Sequence, residues 1–149
     1  MLSQATALEV LRCGVNVFLT GEPGSGKTFT TRQYLRWLRE RRIPCAVTAS
    51  TGIAATHLGG LTVHAWCGVG VRRDVDQALI ERIQKFPQVA RRVIDARVLL
   101  IDEVSMLSAE TLDAVDQCCR GLRGDLRPFG GMQVVFVGDF FQLPPVRSD

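Results

Sequence analysis

The sequence has almost no lysine: of its 18 basic residues, all but Lys27 and Lys85 are arginine. It also has no apolar run approaching about 18 residues, which rules out a membrane-spanning helix. The opening stretch MLSQATALEV lacks the basic and apolar regions of a signal peptide. Metal-ligand spacing is missing among the five cysteines, Cys13, Cys45, Cys67, Cys118 and Cys119. The adjacent Cys118 and Cys119 suit helix packing better than ligation, and the odd count suits reduced thiols in a cytosol-like compartment. No repeat, low-complexity tract or Pro/Ser-rich linker divides the chain, so it reads as one unit. Charge of one sign is not in strong excess either. The net charge of +3 admits a polyanionic partner without requiring one.

What remains is the balance of a globular domain, 46% hydrophobic and 22% charged over 149 residues. Four short, β-branched-rich apolar runs stand out: Asn16 to Thr20, Cys45 to Ala49, Val98 to Ile101 and Gln133 to Val137. None of them alternates, which predicts parallel strands covered on both faces. Between them, residues Lys27 to Arg42 set Tyr34, Leu35 and Leu38 on one helical face and Arg32, Arg36 and Arg39 on another. The arginine face reads as solvated. Ser108 can cap a further helix running to about Arg120, with Leu112, Val115 and Cys119 turned inward. Leu79, Ile80, Ile83 and Phe86 suggest one more helix between Arg72 and Arg97. Strands alternating with helices predict an α/β fold, a parallel sheet flanked by helices, with functional loops gathered at the carboxyl ends of the strands.

The first predicted strand runs into Gly21-Glu22-Pro23-Gly24-Ser25-Gly26-Lys27-Thr28, a complete GxxxxGK[ST] pattern between a strand and a helix. Glycines let the backbone wrap a phosphate with its N–H groups pointing inward, and the helix N-terminus adds partial positive charge. Gly21, Gly24, Ser25 and Gly26 form the expected cradle for a nucleoside triphosphate, Lys27 reaches the β- and γ-phosphates, and Thr28 holds Mg²⁺. Asp102 and Glu103 end another apolar strand. Paired carboxylates there are costly unless a cation uses them. Asp102 therefore suits a Mg²⁺ contact, and Glu103 suits orienting and deprotonating the attacking water. In Gly138-Asp139-Phe140-Phe141-Gln142-Leu143-Pro144-Pro145, Gln142 can be presented to a γ-phosphate, although the segment alone fits a structural turn equally well. The stretches Thr48 to Ala55 and Gly59 to Trp66 are rich in hydroxyls and glycine, which suits sequence-tolerant contact with a single-strand backbone. His64 and Trp66 offer a phosphate contact and a stacking surface. The same residues fit a capped helix with a core tryptophan and a satisfied histidine, and they leave the two readings open.

Taken together, these stretches resemble the helicases of superfamily 1B, the Pif-type DNA helicases and their RecD-like relatives. GEPGSGKT from Gly21 resembles motif I, TASTGIAATHLGGLTVHAW from Thr48 the motif Ia region, IDEVSML from Ile101 motif II, and GDFFQLPPV from Gly138 motif III. The resemblance implies a RecA-like P-loop NTPase domain, ATP and Mg²⁺ as cofactors, and single-stranded DNA as partner. It implies that Lys27, Glu103 and Gln142 are catalytic, that Thr28 and Asp102 hold the metal, and that Thr51, Gly52 and His64 touch the DNA backbone. Gln4 stands where such proteins carry a glutamine that binds the adenine edge.

It further implies 5′ to 3′ movement along one strand, duplex unwinding, and work in DNA repair and recombination by a monomer. The expected location is the cytoplasm, with the nucleoid, of a bacterium, or the nucleus or mitochondrion of a eukaryote. The later motifs of the family are absent before Asp149. The 149 residues are accordingly expected to be an incomplete motor domain 1A that lacks the second RecA-like domain and its arginine, hydrolysing ATP feebly and not translocating. Two other readings stand beside this one. The first is a switch module that binds ATP and single-stranded DNA without doing work. The second is an AAA+ type ATPase or P-loop kinase, which leaves TASTGIAA and GDFFQLPPV unexplained.

Overall fold

A computed structural model describes residues 3–21, 24, 26–72 and 74–139. The chain begins with α1 (Gln4–Arg12), capped by the Ser3 hydroxyl, and continues through β1 (Val17–Thr20), α2 (Lys27–Glu40) and β2 (Cys45–Ala49). Next come α3 (Gly52–Leu58), the two-residue strand β3 (Leu61–Thr62), α4 (Val63–Trp66), α5 (Gln77–Gln84) and α6 (Pro87–Asp95). The last part holds β4 (Val98–Asp102), a 3₁₀ turn, α7 (Ala109–Arg123), a second 3₁₀ turn, and β5 (Gln133–Gly138). All five strands run parallel in the order β1-β5-β4-β2-β3.

The four predicted strands and the helices after the P-loop and after Ser108 are present, with ends shifted by up to three residues. Three elements extend the expectation: α1, the edge strand β3, and a second helix in the Arg72 to Arg97 stretch, where Pro87 opens α6. A two-residue strand is too short to leave an alternation in the sequence.

The sheet is covered on both faces because β4 alternates two apolar sets. Leu99 and Ile101 join the layer built by α4 to α7, with Trp66, Leu79, Ile83, Val115 and Leu122, while Val98 and Leu100 join Leu11, Tyr34 and Leu38 of α1 and α2. Trp66 is 5% exposed and lies in the first of these layers, so it is a core tryptophan and the stacking surface considered above is not there. Cys67, Cys118 and Cys119 are buried in the same layer, and all five cysteines are free thiols.

Polar anchors fix the layers against the sheet. Tyr34 donates its hydroxyl to the Gln133 Oε1 at 2.7 Å, and the Gln133 amide donates to the carbonyls of Leu11 and Val15 at 3.0 and 2.9 Å. Burial pushes the Tyr34 phenol up to about 12, against the lowering effect of Gln133. Among the described residues no helix is long and apolar enough to cross a membrane.

Candidate active site

β1, β5 and β4 lie side by side, so Gly21, Asp139 and the pair Asp102-Glu103 emerge at the same edge of the sheet. A cavity of about 680 Å³ lies there, lined by Gly24, Gly26, Lys27 and Thr28 on one side and by Asp102, Glu103 and Asp139 on another. This is the crevice at the carboxyl ends of parallel strands where α/β proteins bind ligands.

The P-loop side follows from glycine. Gly24 and Gly26 sit at φ +85° and +91°, which a side chain rarely adopts, and Gly26 caps α2 in that left-handed conformation. Among the described residues no side chain caps the α2 N-terminus, and Lys27 and Thr28 open the helix. The Lys27 Nζ donates to the Gly21 carbonyl. The Gln4 amide lies against Gly26, which brings the amino-terminal helix to the P-loop. Ser25 and Gln142 lie outside the described residues, as does most of GDFFQLPPV beyond Asp139.

On the acidic side, Asp102 is half-buried and its Oδ1 accepts the Glu103 backbone N–H at 2.8 Å. Burial raises the Asp102 carboxyl above its ordinary range, opposed by that N–H, by His57 and by Lys27. Glu103 adopts φ 50° and ψ 43°, a left-handed conformation uncommon outside glycine and asparagine. Strain of this kind persists where the surroundings impose it, and here it turns the second carboxylate out of the strand and into the cavity.

Three further cavity residues carried no sequence signal for this site. His57, on the last turn of α3, lines the cavity and acts electrostatically on Asp102. Its place among the wall residues depends on the packing of α3, which periodicity over so short a helix does not reveal. Thr31 lines the wall with a buried hydroxyl that has no partner among the described residues. Arg32 is exposed on the face expected to be solvated and also lines the cavity, while Arg36 pairs with Glu40 at 3.1 Å.

The proposed DNA-contact residues gather elsewhere on the same sheet. β2 and β3 pair with Ala49 opposite Thr62, so the segments that follow them, Thr51-Gly52 and His64, leave neighbouring strands at the carboxyl end. The Thr51 hydroxyl caps α3 by accepting from the Ala54 N–H at 3.2 Å, and Gly52 is exposed. His64 is half-buried on α4, and its Nδ1 is buried without a partner among the described residues.

A phosphate loop opening α2, an acidic strand end facing it, and β5 inserted between their strands on a parallel sheet define a P-loop NTPase of the RecA-like kind. The model of the PIF1-like helicase family matches residues 3–149. The chain therefore belongs to the PIF1-like helicase family. It is 50% identical over 147 residues to the ATP-dependent DNA helicase Pif1 of Psychrobacter sp. (strain PRwf-1), covering 99% of this chain and 22% of that protein. The crystal structure of the Pif1 helicase from Candida albicans superposes with a TM-score of 0.90 at 40% identity, over 99% of this chain and 34% of the other. That of the Bacteroides Pif1 helicase in complex with ADP-AlF3 and ssDNA superposes with a TM-score of 0.73 at 32% identity, over 99% of this chain and 34% of the other. The chain thus spans about a fifth of the length of its Psychrobacter relative.

Proposed function

We propose that residues 1–149 form the nucleotide-binding first motor domain, domain 1A, of an ATP-dependent helicase that moves 5′ to 3′ on single-stranded DNA and separates duplexes. The observation that carries the reading is the meeting of Lys27, Thr28, Asp102 and Glu103 in one cavity, from separate elements. The Bacteroides relative, solved with ADP-AlF3 and ssDNA, supports nucleotide and DNA as ligands of the same chain.

The residues present fit a nucleotide with its cation. Gly24 and Gly26 hold left-handed conformations that let the loop backbone turn around a phosphate, and Asp102 sits half-buried on the same cavity as Lys27 and Thr28. Thr28 and Asp102 would hold Mg²⁺, which when bound offsets charge on the phosphates. Lys27 leaves the Gly21 carbonyl for the β- and γ-phosphates. Glu103 orients the attacking water and accepts its proton, Gln142 senses the γ-phosphate, and Gln4 reads the adenine edge. Thr51, Gly52 and His64 hold the strand backbone. A second lobe supplies the arginine that completes the site, worth on the order of 10³ to 10⁵ in rate. The motor works as a monomer in whichever compartment holds the DNA.

ATP hydrolysis with and without single-stranded DNA tests this, by this chain and by the longer protein that the reading implies. The longer protein is expected to be strongly DNA-stimulated and its Glu103→Gln variant to bind ATP yet lose turnover, with this chain slow throughout. Equal turnover with and without DNA in the longer protein would sink the motor reading. Glu103→Gln without loss would leave a binding switch.

A further inference from the structure

Four arginines collect at the amino ends of the strands, the edge of the sheet opposite the nucleotide cavity. Arg12 closes α1 and Arg41 follows α2, and their guanidinium carbons lie 5.6 and 4.3 Å from the centre of the Trp37 ring, so one indole holds both cations in place. Arg42 comes next. Arg97 stands at the same edge, just ahead of β4, because its backbone N–H donates to the Pro44 carbonyl, just ahead of β2, at 2.9 Å. All four are exposed, and none has an ion-pair partner among the described residues. The acidic residues of α1 and α2 are Glu9 and Glu40, and Glu40 already pairs with Arg36. Arg42 is held at φ 55°, in the left-handed region, just past a helix end where glycine is the usual residue. Both α3 and α7 end that way, on Gly59 at φ 73° and Gly124 at φ 62°. An arginine there strains the backbone with no ion pair to offset it.

We propose that Arg12, Arg41, Arg42 and Arg97 form a docking surface for the phosphate backbone of duplex DNA, separate from the strand contact at the carboxyl edge. Thr51 and Gly52 follow β2 whereas Arg41 and Arg42 precede it, so the two surfaces lie at opposite ends of the same strand. A guanidinium fork matches the geometry of a phosphate, and each phosphate it neutralises releases counterions from the DNA. Charge density selects the duplex, which carries one negative charge per about 1.7 Å of axis, twice that of a single strand. A single strand would gain from a ring on which its bases stack, but the Trp37 ring is in use, with Tyr34 stacked on it at 6.0 Å and Arg41 over it.

The test is the anisotropy of a short, blunt-ended, fluorescein-labelled duplex titrated with this chain at several salt concentrations, beside a labelled single strand and ADP. Arg42→Gly relieves the left-handed backbone, so it is expected to melt no lower than wild type. Its duplex affinity should nevertheless fall about threefold, and the slope of log affinity against log salt should flatten by about one. Arg42→Lys keeps the charge and should bind the duplex within about twofold of wild type. Combining Arg12→Gln, Arg41→Gln, Arg42→Gly and Arg97→Gln should cost about tenfold or more in duplex affinity and flatten the slope by about three or more. The combined variant should bind the single strand and ADP within about twofold of wild type. Wild-type duplex affinity or an unchanged salt slope in that variant would overturn the proposal, and Arg42→Gly decides alone where the combined variant does not fold. An equal loss for the single strand would also overturn it, because the cluster would then be part of the strand path. Labelled polyglutamate bound by wild type in place of the duplex, and lost in the combined variant, would overturn it in favour of an acidic protein.

Discussion

The side-chain amide of Gln4 occupies the space in which a Cβ on Gly26 would stand. This contact ties α1 to the phosphate loop, and it makes Gly26 doubly restricted, by its φ of +91° and by its neighbour. Gly26→Ala must displace Gln4 and hold an alanine in a left-handed conformation, which costs about 1–2 kcal/mol in the backbone alone. The variant should melt at lower temperature and lose most of its affinity for ADP, read by calorimetry. Wild-type affinity would mean that the loop geometry described here does not bind phosphate.

Asp102 carries an opposite expectation. Its carboxyl is raised chiefly by burial, so the folded chain binds the Asp102 proton more tightly than the unfolded chain does. The stability tied to that proton is fully present below the ordinary carboxylate range, and it is lost as pH rises through the raised value. At neutral pH the ionised group is therefore a burden on the fold. Asp102→Asn retains an oxygen that can accept the Glu103 N–H, and it should melt above wild type at pH 7 with the gap closing in acid. Its nucleotide affinity should no longer respond to Mg²⁺. A lower melting temperature at pH 7 would contradict the burial argument.

The sheet was legible because its strands are unalternating runs bounded by turn residues, and Val98 to Ile101 is buried on both faces as such a run requires. The P-loop and the Asp102-Glu103 pair were legible because each is contiguous in sequence. Phe29, Thr31, Arg32 and His57 were not, since membership of a wall depends on how α2 and α3 pack against the sheet. The motif Ia stretch shows the limit from the other side. Its hydroxyls and its tryptophan are equally visible in sequence, but only burial separates Trp66, inside the core, from the exposed Gly52. Some arginines are structural in a way composition does not reveal, for Arg92 donates to the carbonyls of Trp66 and Ala65 at 2.7 and 2.9 Å.

Arg123 is the clearest of these. Its Nη1 donates to the carbonyls of Val93, Ile94 and Ala96 at 2.9, 2.7 and 2.7 Å, and its Nε donates to Gly130 at 2.8 Å. Those acceptors at the end of α6 would otherwise be orphaned, and only a planar fork reaches both groups at once. Arg123→Lys keeps the charge and loses the fork. It is expected to lower stability by about 2 kcal/mol. For a chain of this size that is a fall of roughly 4–8 °C in melting temperature. ADP affinity should be unchanged, because Arg123 does not line the nucleotide cavity. A variant that melts like wild type would show that the clamp contributes nothing.

Thr51 allows the DNA contact to be separated from folding. Its hydroxyl caps α3 through the Ala54 N–H, so Thr51→Ala would weaken the helix by about 1 kcal/mol and confuse the two effects. Aspartate is an equally good cap, and near a phosphate it is repulsive. Thr51→Asp should therefore melt within a degree or two of wild type and bind ADP normally, while its affinity for a single-stranded oligonucleotide at low salt falls by about tenfold or more. Thr51→Ser should keep both properties. If Thr51→Asp binds the strand as wild type does, the backbone does not pass the α3 N-terminus, and the contact assigned to Thr51 and Gly52 must lie elsewhere on the sheet edge.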